Sequence, residues 1–109
     1  MAVAFTQGTQ LGPDDLKITL KDAKGAFVDP YAISYSFYGK GGNRGVSEDY
    51  LIGQPYREPV RASEGVYYVG ERVSAGFLPG SHYVKWIIKR EENSPLEVIG
   101  ELYFTIYKE

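Results

Sequence analysis

Apolar and polar residues alternate with a period of two over much of this chain, and that period places successive side chains on opposite faces of an extended strand. Leu16, Ile18 and Leu20 fall on one face, with Lys17, Thr19 and Lys21 on the other. Tyr31, Ile33, Tyr35 and Phe37 share a face opposite Ala32, Ser34 and Ser36. Between His82 and Lys89 the inward positions are Val84, Trp86 and Ile88. The last segment sets Val98, Leu102, Phe104 and Ile106 against Glu101, Tyr103, Thr105 and Tyr107. Weaker strands are expected near Tyr50–Ile52, Glu58–Ala62 and Val66–Val69. Turns follow from Asp22-Ala-Lys-Gly25, from Asp29-Pro30 and from the polar loop Arg90–Ser94 closed by Pro95. No window holds an apolar stripe at helical spacing. Roughly seven short strands at intervals of about ten residues predict an all-β chain folded as an antiparallel sandwich or barrel.

A chain of 109 residues, 43% apolar and 24% charged, can bury one core but not two. Residues 14–109 are therefore expected to form one β-sandwich domain. Residues 1–13, closing on Gly12-Pro13, read as a short first strand or as an arm reaching a neighbour. Gly39 to Gly45 reads as a flexible hairpin or interstrand loop, too glycine-rich to hold one shape alone; a further reading is a mobile basic tip carrying Lys40 and Arg44 that orders on an acidic partner. With no cysteine, a disulfide framework and a thiolate metal site are excluded, which suits folding in a reducing cytoplasm. Met1–Gly8 has neither a basic start nor a long apolar run, so no signal peptide is expected, and no stretch is long enough to span a membrane. A net charge of -2 provides no general attraction to nucleic acid or to an anionic membrane.

Residues that could do chemistry are sparse. His82 is the only histidine, and its place beside Gly80-Ser81 reads as a surface or rim position. The carboxylate pairs Asp14-Asp15, Glu48-Asp49 and Glu91-Glu92 point to opposite faces of any strand, so they do not converge on a metal or a glycosidic bond. Lys40 is not followed by Ser or Thr, and no helix after Gly45 would lend its dipole to a phosphate. The chain is thus read as a non-enzyme with no cofactor and no metal. Trp86, in phase with Val84 and Ile88, is expected in the core. Contacts with other molecules are expected at Phe5, Gln7, Tyr38, Lys40, Arg44, Tyr103 and Tyr107, because tyrosine offers contact area at little entropic cost.

The C-terminal half runs Pro59-Val60-Arg61, Gly65-Val-Tyr-Tyr68, Leu78-Pro-Gly80, Tyr83 and Trp86; the N-terminal part adds Asp15-Leu-Lys-Ile-Thr-Leu-Lys-Asp22, Gly25 and Val28-Asp-Pro30. A Gly-x-Tyr-Tyr strand, a Pro-Gly turn and a Tyr-x-x-Trp strand resemble bacterial and phage immunoglobulin-like modules. From about Asp14 onward the chain looks like the small immunoglobulin-like structural proteins of tailed-phage virions. The resemblance implies an immunoglobulin-like antiparallel β-sandwich and a non-enzymatic virion role as capsid decoration, neck (head–tail) connector or tail accessory. It also implies capsid, neck or tail subunits as partners in a symmetric multi-copy assembly formed in the host cytoplasm, with no nucleic acid and no membrane. On that reading, deletion of Met1–Gln10 leaves the domain folded but unable to assemble. The alternative is a module that binds carbohydrate or a host surface through coplanar exposed aromatics.

Overall fold

A computed structural model describes residues 3–74 and 76–108. Eight strands are present: β1 (Val3–Thr6), β2 (Lys17–Thr19), β3 (Ala32–Gly39), β4 (Tyr50–Arg57), β5 (Val60–Ser63), β6 (Val66–Tyr68), β7 (Gly80–Lys89) and β8 (Leu96–Tyr107). They form a five-stranded sheet of order β1-β8-β7-β3-β4 and a three-stranded sheet of order β2-β6-β5. β1 runs parallel to β8, and every other neighbouring pair is antiparallel.

The alternation places the core. Tyr35 and Phe37 on β3, Val84, Trp86 and Ile88 on β7, and Phe104 and Ile106 on β8 all point inward and are buried. Leu16 is buried with them from the other layer, while Ile18 and Leu20 pack against the same cluster. Tyr31, read in phase with Ile33, instead stands ahead of β3 and is exposed, with the Lys89 ammonium 6.0 Å from its ring centre.

Polar cross-links hold the edges. The Asp29 carboxylate accepts from Arg61, from the Gly65 amide at 2.8 Å and from the Tyr67 hydroxyl at 2.7 Å, so the Asp-Pro stop before β3 is tied to β5 and β6. These donors, Arg61 foremost, hold Asp29 well below the usual carboxylate range. Across the open side of the core, Glu71 accepts from the Tyr35 hydroxyl and from Arg57 on β4.

Three expectations are corrected, and one that was left open is decided. His82 is not a rim residue but fully buried: it lies in phase with Val84 and Trp86, with its ring stacked on Phe104 at 5.8 Å. Val98 does not face the core. The β7–β8 register slips between Trp86, opposite Gly100, and Ile87, opposite Val98. Such a bulge reverses the phase, so Ile99 packs inward and Val98 is 55% exposed. Of the two readings of the N-terminal stretch, the short first strand is the one present: β1 pairs with Phe104–Tyr107 at the sheet edge and buries Phe5 against Phe104, ring centres 5.8 Å apart. Met1 and Ala2 of that stretch lie outside the described residues. The glycine-rich loop has one defined shape, a single turn of 3₁₀ helix over Gly41–Arg44.

Candidate contact surface

The core takes one phase of β3, β7 and β8, and the other phase makes the outer face of the five-stranded sheet. Register sets Leu51 opposite Tyr38, Tyr38 opposite Tyr83 and Tyr83 opposite Tyr103, a row across four strands. Tyr38 and Tyr83 stack at 5.3 Å with 13° between their planes, and Tyr83 and Tyr103 follow at 5.1 Å and 35°. Tyr83 is buried as the keystone between its neighbours, whereas Tyr103 is 52% exposed and Leu51 is exposed at the end of the row.

Charged groups fix the row in place. The Lys40 ammonium lies 5.5 Å from the centre of the Tyr83 ring and 5.6 Å from that of Tyr103, and Lys85 lies 4.9 Å from that of Tyr38. Asp49 accepts from the Tyr83 hydroxyl at 3.0 Å and pairs with Lys40 at 3.6 Å. Burial, and then the bond to Asp49, push the Tyr83 phenol up, while that same bond is the main cause that lowers Asp49. The Tyr83 phenol therefore stays neutral and hydrogen-bonded to Asp49 across the physiological range.

The 3₁₀ turn explains why Lys40 arrives where it does. The Lys40 amide donates to the Ser81 carbonyl at 3.0 Å, the Asn43 side chain donates to the same carbonyl at 2.9 Å, and the Gly41 amide donates to Asp49 at 3.3 Å. A Cβ on Gly41 would sit 2.5 Å from the carbonyl oxygens of Val46 and Glu48, so only glycine fits. Gly45 closes the turn in the left-handed region at φ 70°.

The structure thus brings together Tyr38, Lys40 and Tyr103 from the expected contact residues. Tyr107 is exposed on the same face further along β8, and Arg44 lies over the Tyr50 ring at 3.7 Å at the sheet's end. Phe5 and Gln7 are not available for contact. Phe5 is core, and the Gln7 amide donates to the Phe77 carbonyl at 2.8 Å, a tether inside the fold. Sequence reasoning missed Tyr83, Lys85 and Leu51. The signal for the first two was present, because they occupy the phase of β7 opposite to Val84 and Trp86.

A pyranose needs an open ring face, but the Tyr38 and Tyr83 faces lie against each other and the lysines cover others. Ring edges, hydroxyls and ammonium groups are what the surface shows. His82, the only imidazole, is sealed behind this face with Nδ1 donating to the Gly80 carbonyl at 3.0 Å, where no solute reaches it. No protein-family model matches the chain, and neither a curated protein nor a solved structure is significantly similar to it.

Proposed function

We propose that this chain is an immunoglobulin-like contact module that serves as a non-enzymatic structural component of a tailed-phage virion. It docks on capsid, neck or tail subunits through the outer face of its five-stranded sheet. The observation that carries the contact role is the preorganised row Leu51–Tyr38–Tyr83–Tyr103, its rings fixed before any partner arrives. Rings held in place lose little entropy on binding, and tyrosine, arginine and tryptophan dominate the energetics of protein interfaces.

The strand order supports the immunoglobulin-like reading. In that fold's lettering, β1-β8-β7-β3-β4 reads A′-G-F-C-C′ and β2-β6-β5 reads B-E-D, with the A′ and G strands parallel. Trp86 on the F strand, packed 5.5 Å from Tyr35 on the C strand, fills the centre that a disulfide and a C-strand tryptophan share in antibody domains. The virion setting is supported by the sequence cadence from Pro59 to Trp86.

The test is the mass of the purified protein in solution, alone and mixed with virus particles from its source. The expected result is a species that joins the particles at fixed stoichiometry. The double variant Tyr38→Ser with Tyr103→Ser should stay folded and lose that association. A wild-type protein that ignores particles sinks the virion role. A double variant that still joins them removes the aromatic row from the interface.

A further inference from the structure

β8 is 12 residues long, yet β1 covers only Phe104–Tyr107 of its outer edge. Along Leu96–Tyr103 that edge has no strand beside it among the described residues. The three-stranded sheet ends in the same way, since β2 pairs with β6 on one side and is open on the other. Both open edges line one cleft of about 450 Å³ at an end of the sandwich, with Leu20 and Lys21 on one wall, Glu97 to Ile99 on the other, and Val28 and Ile88 between.

Unpaired edges are usually blunted by proline, charge or irregularity. The β4 edge is treated in that manner, with Pro55 and an excursion of the chain between Gly53 and Tyr56 where the register slips. On β8 the only proline, Pro95, stands before the strand, and although Glu97, Glu101 and the bulge near Gly100 interrupt the edge, Leu96 and Val98 stand exposed beside the cleft. Charge in the cleft is one-sided once its own pairs are set aside. Asp29 is occupied by Arg61, Gly65 and Tyr67, and Arg90 pairs with Glu97 at 2.8 Å. Lys21 has no carboxylate partner among the described residues and rests over the Phe27 ring at 5.1 Å.

We propose that this cleft receives an extended segment of a partner protein, which adds a strand to the open edge of β8. Its alternate apolar side chains enter between Leu20 and Ile99, and a carboxylate on the segment meets Lys21. In strand addition the main-chain hydrogen bonds supply affinity and the alternate side chains supply specificity. The cleft is lined by Glu97 to Ile99, further along β8 from Tyr103 where the aromatic row ends, and the proposal does not depend on the reading given to that face.

The probe is an acetylated peptide, Ser-Val-Glu-Val-Ser-Val-Glu-Val, titrated into the isotope-labelled full chain and followed by amide NMR. The amides of Lys17–Lys21 and Glu97–Leu102 are expected to shift together, with an apparent Kd on the order of 1 mM or tighter. Exchange of the β8 amides should slow by about tenfold at saturation. Lys21→Glu should weaken binding about fivefold or more, and Tyr38→Ser, on β3 two strands from this edge, should leave it unchanged, so the two surfaces stand or fall separately. Absence of shifts in these segments overturns the proposal. So do equal shifts from the same peptide N-methylated at alternate residues, which cannot pair as a strand.

Discussion

His82 shows how far one buried side chain can tie stability to pH. Its Nδ1 donates to the Gly80 carbonyl, its Nε2 has no partner, and aromatic rings of Phe77 and Phe104 flank it at 5.6 and 5.8 Å. Burial lowers its pKa below the ordinary 6.5, the Gly80 bond opposing only in part. The unfolded chain therefore binds a proton at higher pH than the folded one does. Stability is full above about pH 6.5 and falls as the pH drops toward the depressed folded value. Urea midpoints at about pH 7 and about pH 5 should differ for the wild type, and His82→Phe should flatten that slope whatever its absolute stability. An unchanged slope in the variant would assign the dependence to other groups. Asp29, Asp49 and Glu97, all lowered by their donors, lose their contribution only in more acidic solution.

At the scale of elements, β1 changes what the N-terminal stretch means. Removal of Met1–Gln10 takes Phe5 out of the core, cuts the Gln7 tether to Phe77 and strips the amide bonds from Gly8 to Val73. Loss of a buried phenylalanine side chain alone costs about 3–5 kcal/mol. The truncation is therefore expected to unfold well below the wild-type melting temperature rather than to give a folded, assembly-defective domain, and Phe5→Ala should fall between the two. A truncated chain that melts like the wild type would return the segment to the role of an arm.

Elements also show what the sequence could and could not convey. Leu16, Ile18, Leu20, Tyr35, Phe37, Val84, Trp86 and Ile88 were legible because each lies in, or directly beside, a strand with one dry and one wet face. Val98 was not, because a bulge near Gly100 shifts the phase by one residue, and local alternation carries no mark of that. The shape of the Gly39–Gly45 loop was hidden for another reason. Its anchors, Ser81, Asp49 and Tyr50, lie on other strands or their approaches, so glycine content suggested freedom that distant partners remove. His82 was misread through its polarity although its phase with Val84 was plain.

Across the whole molecule, the aromatic row exists only because β3 is set beside the consecutive pair β7 and β8, far from it in sequence. Tyr38, Tyr83 and Tyr103 meet through the pairings of β3 with β7 and of β7 with β8. No spacing along the chain specifies those pairings, so single tyrosines could be nominated from sequence but the row could not. The same face concentrates Lys40, Lys85 and Lys89 over aromatic rings in a chain whose net charge is -2. Its association with a partner should accordingly weaken as salt rises, measured as the bound fraction in sedimentation at about 0.05 and about 0.5 M salt. A bound fraction that rises with salt would make the contact chiefly apolar.

The parallel pairing of the first strand with the last has a mechanical consequence. Val3 lies beside Phe104 and Thr6 beside Tyr107, so the chain enters at one end of this short ladder and leaves at the other. Tension between the two termini pulls β1 and β8 past each other along their length. Their hydrogen bonds are then loaded together in shear and do not unzip one at a time. A chain pulled by its ends would carry that load through four residues of β1, and the contact of Phe5 with Phe104 would be the first part of the core to feel it.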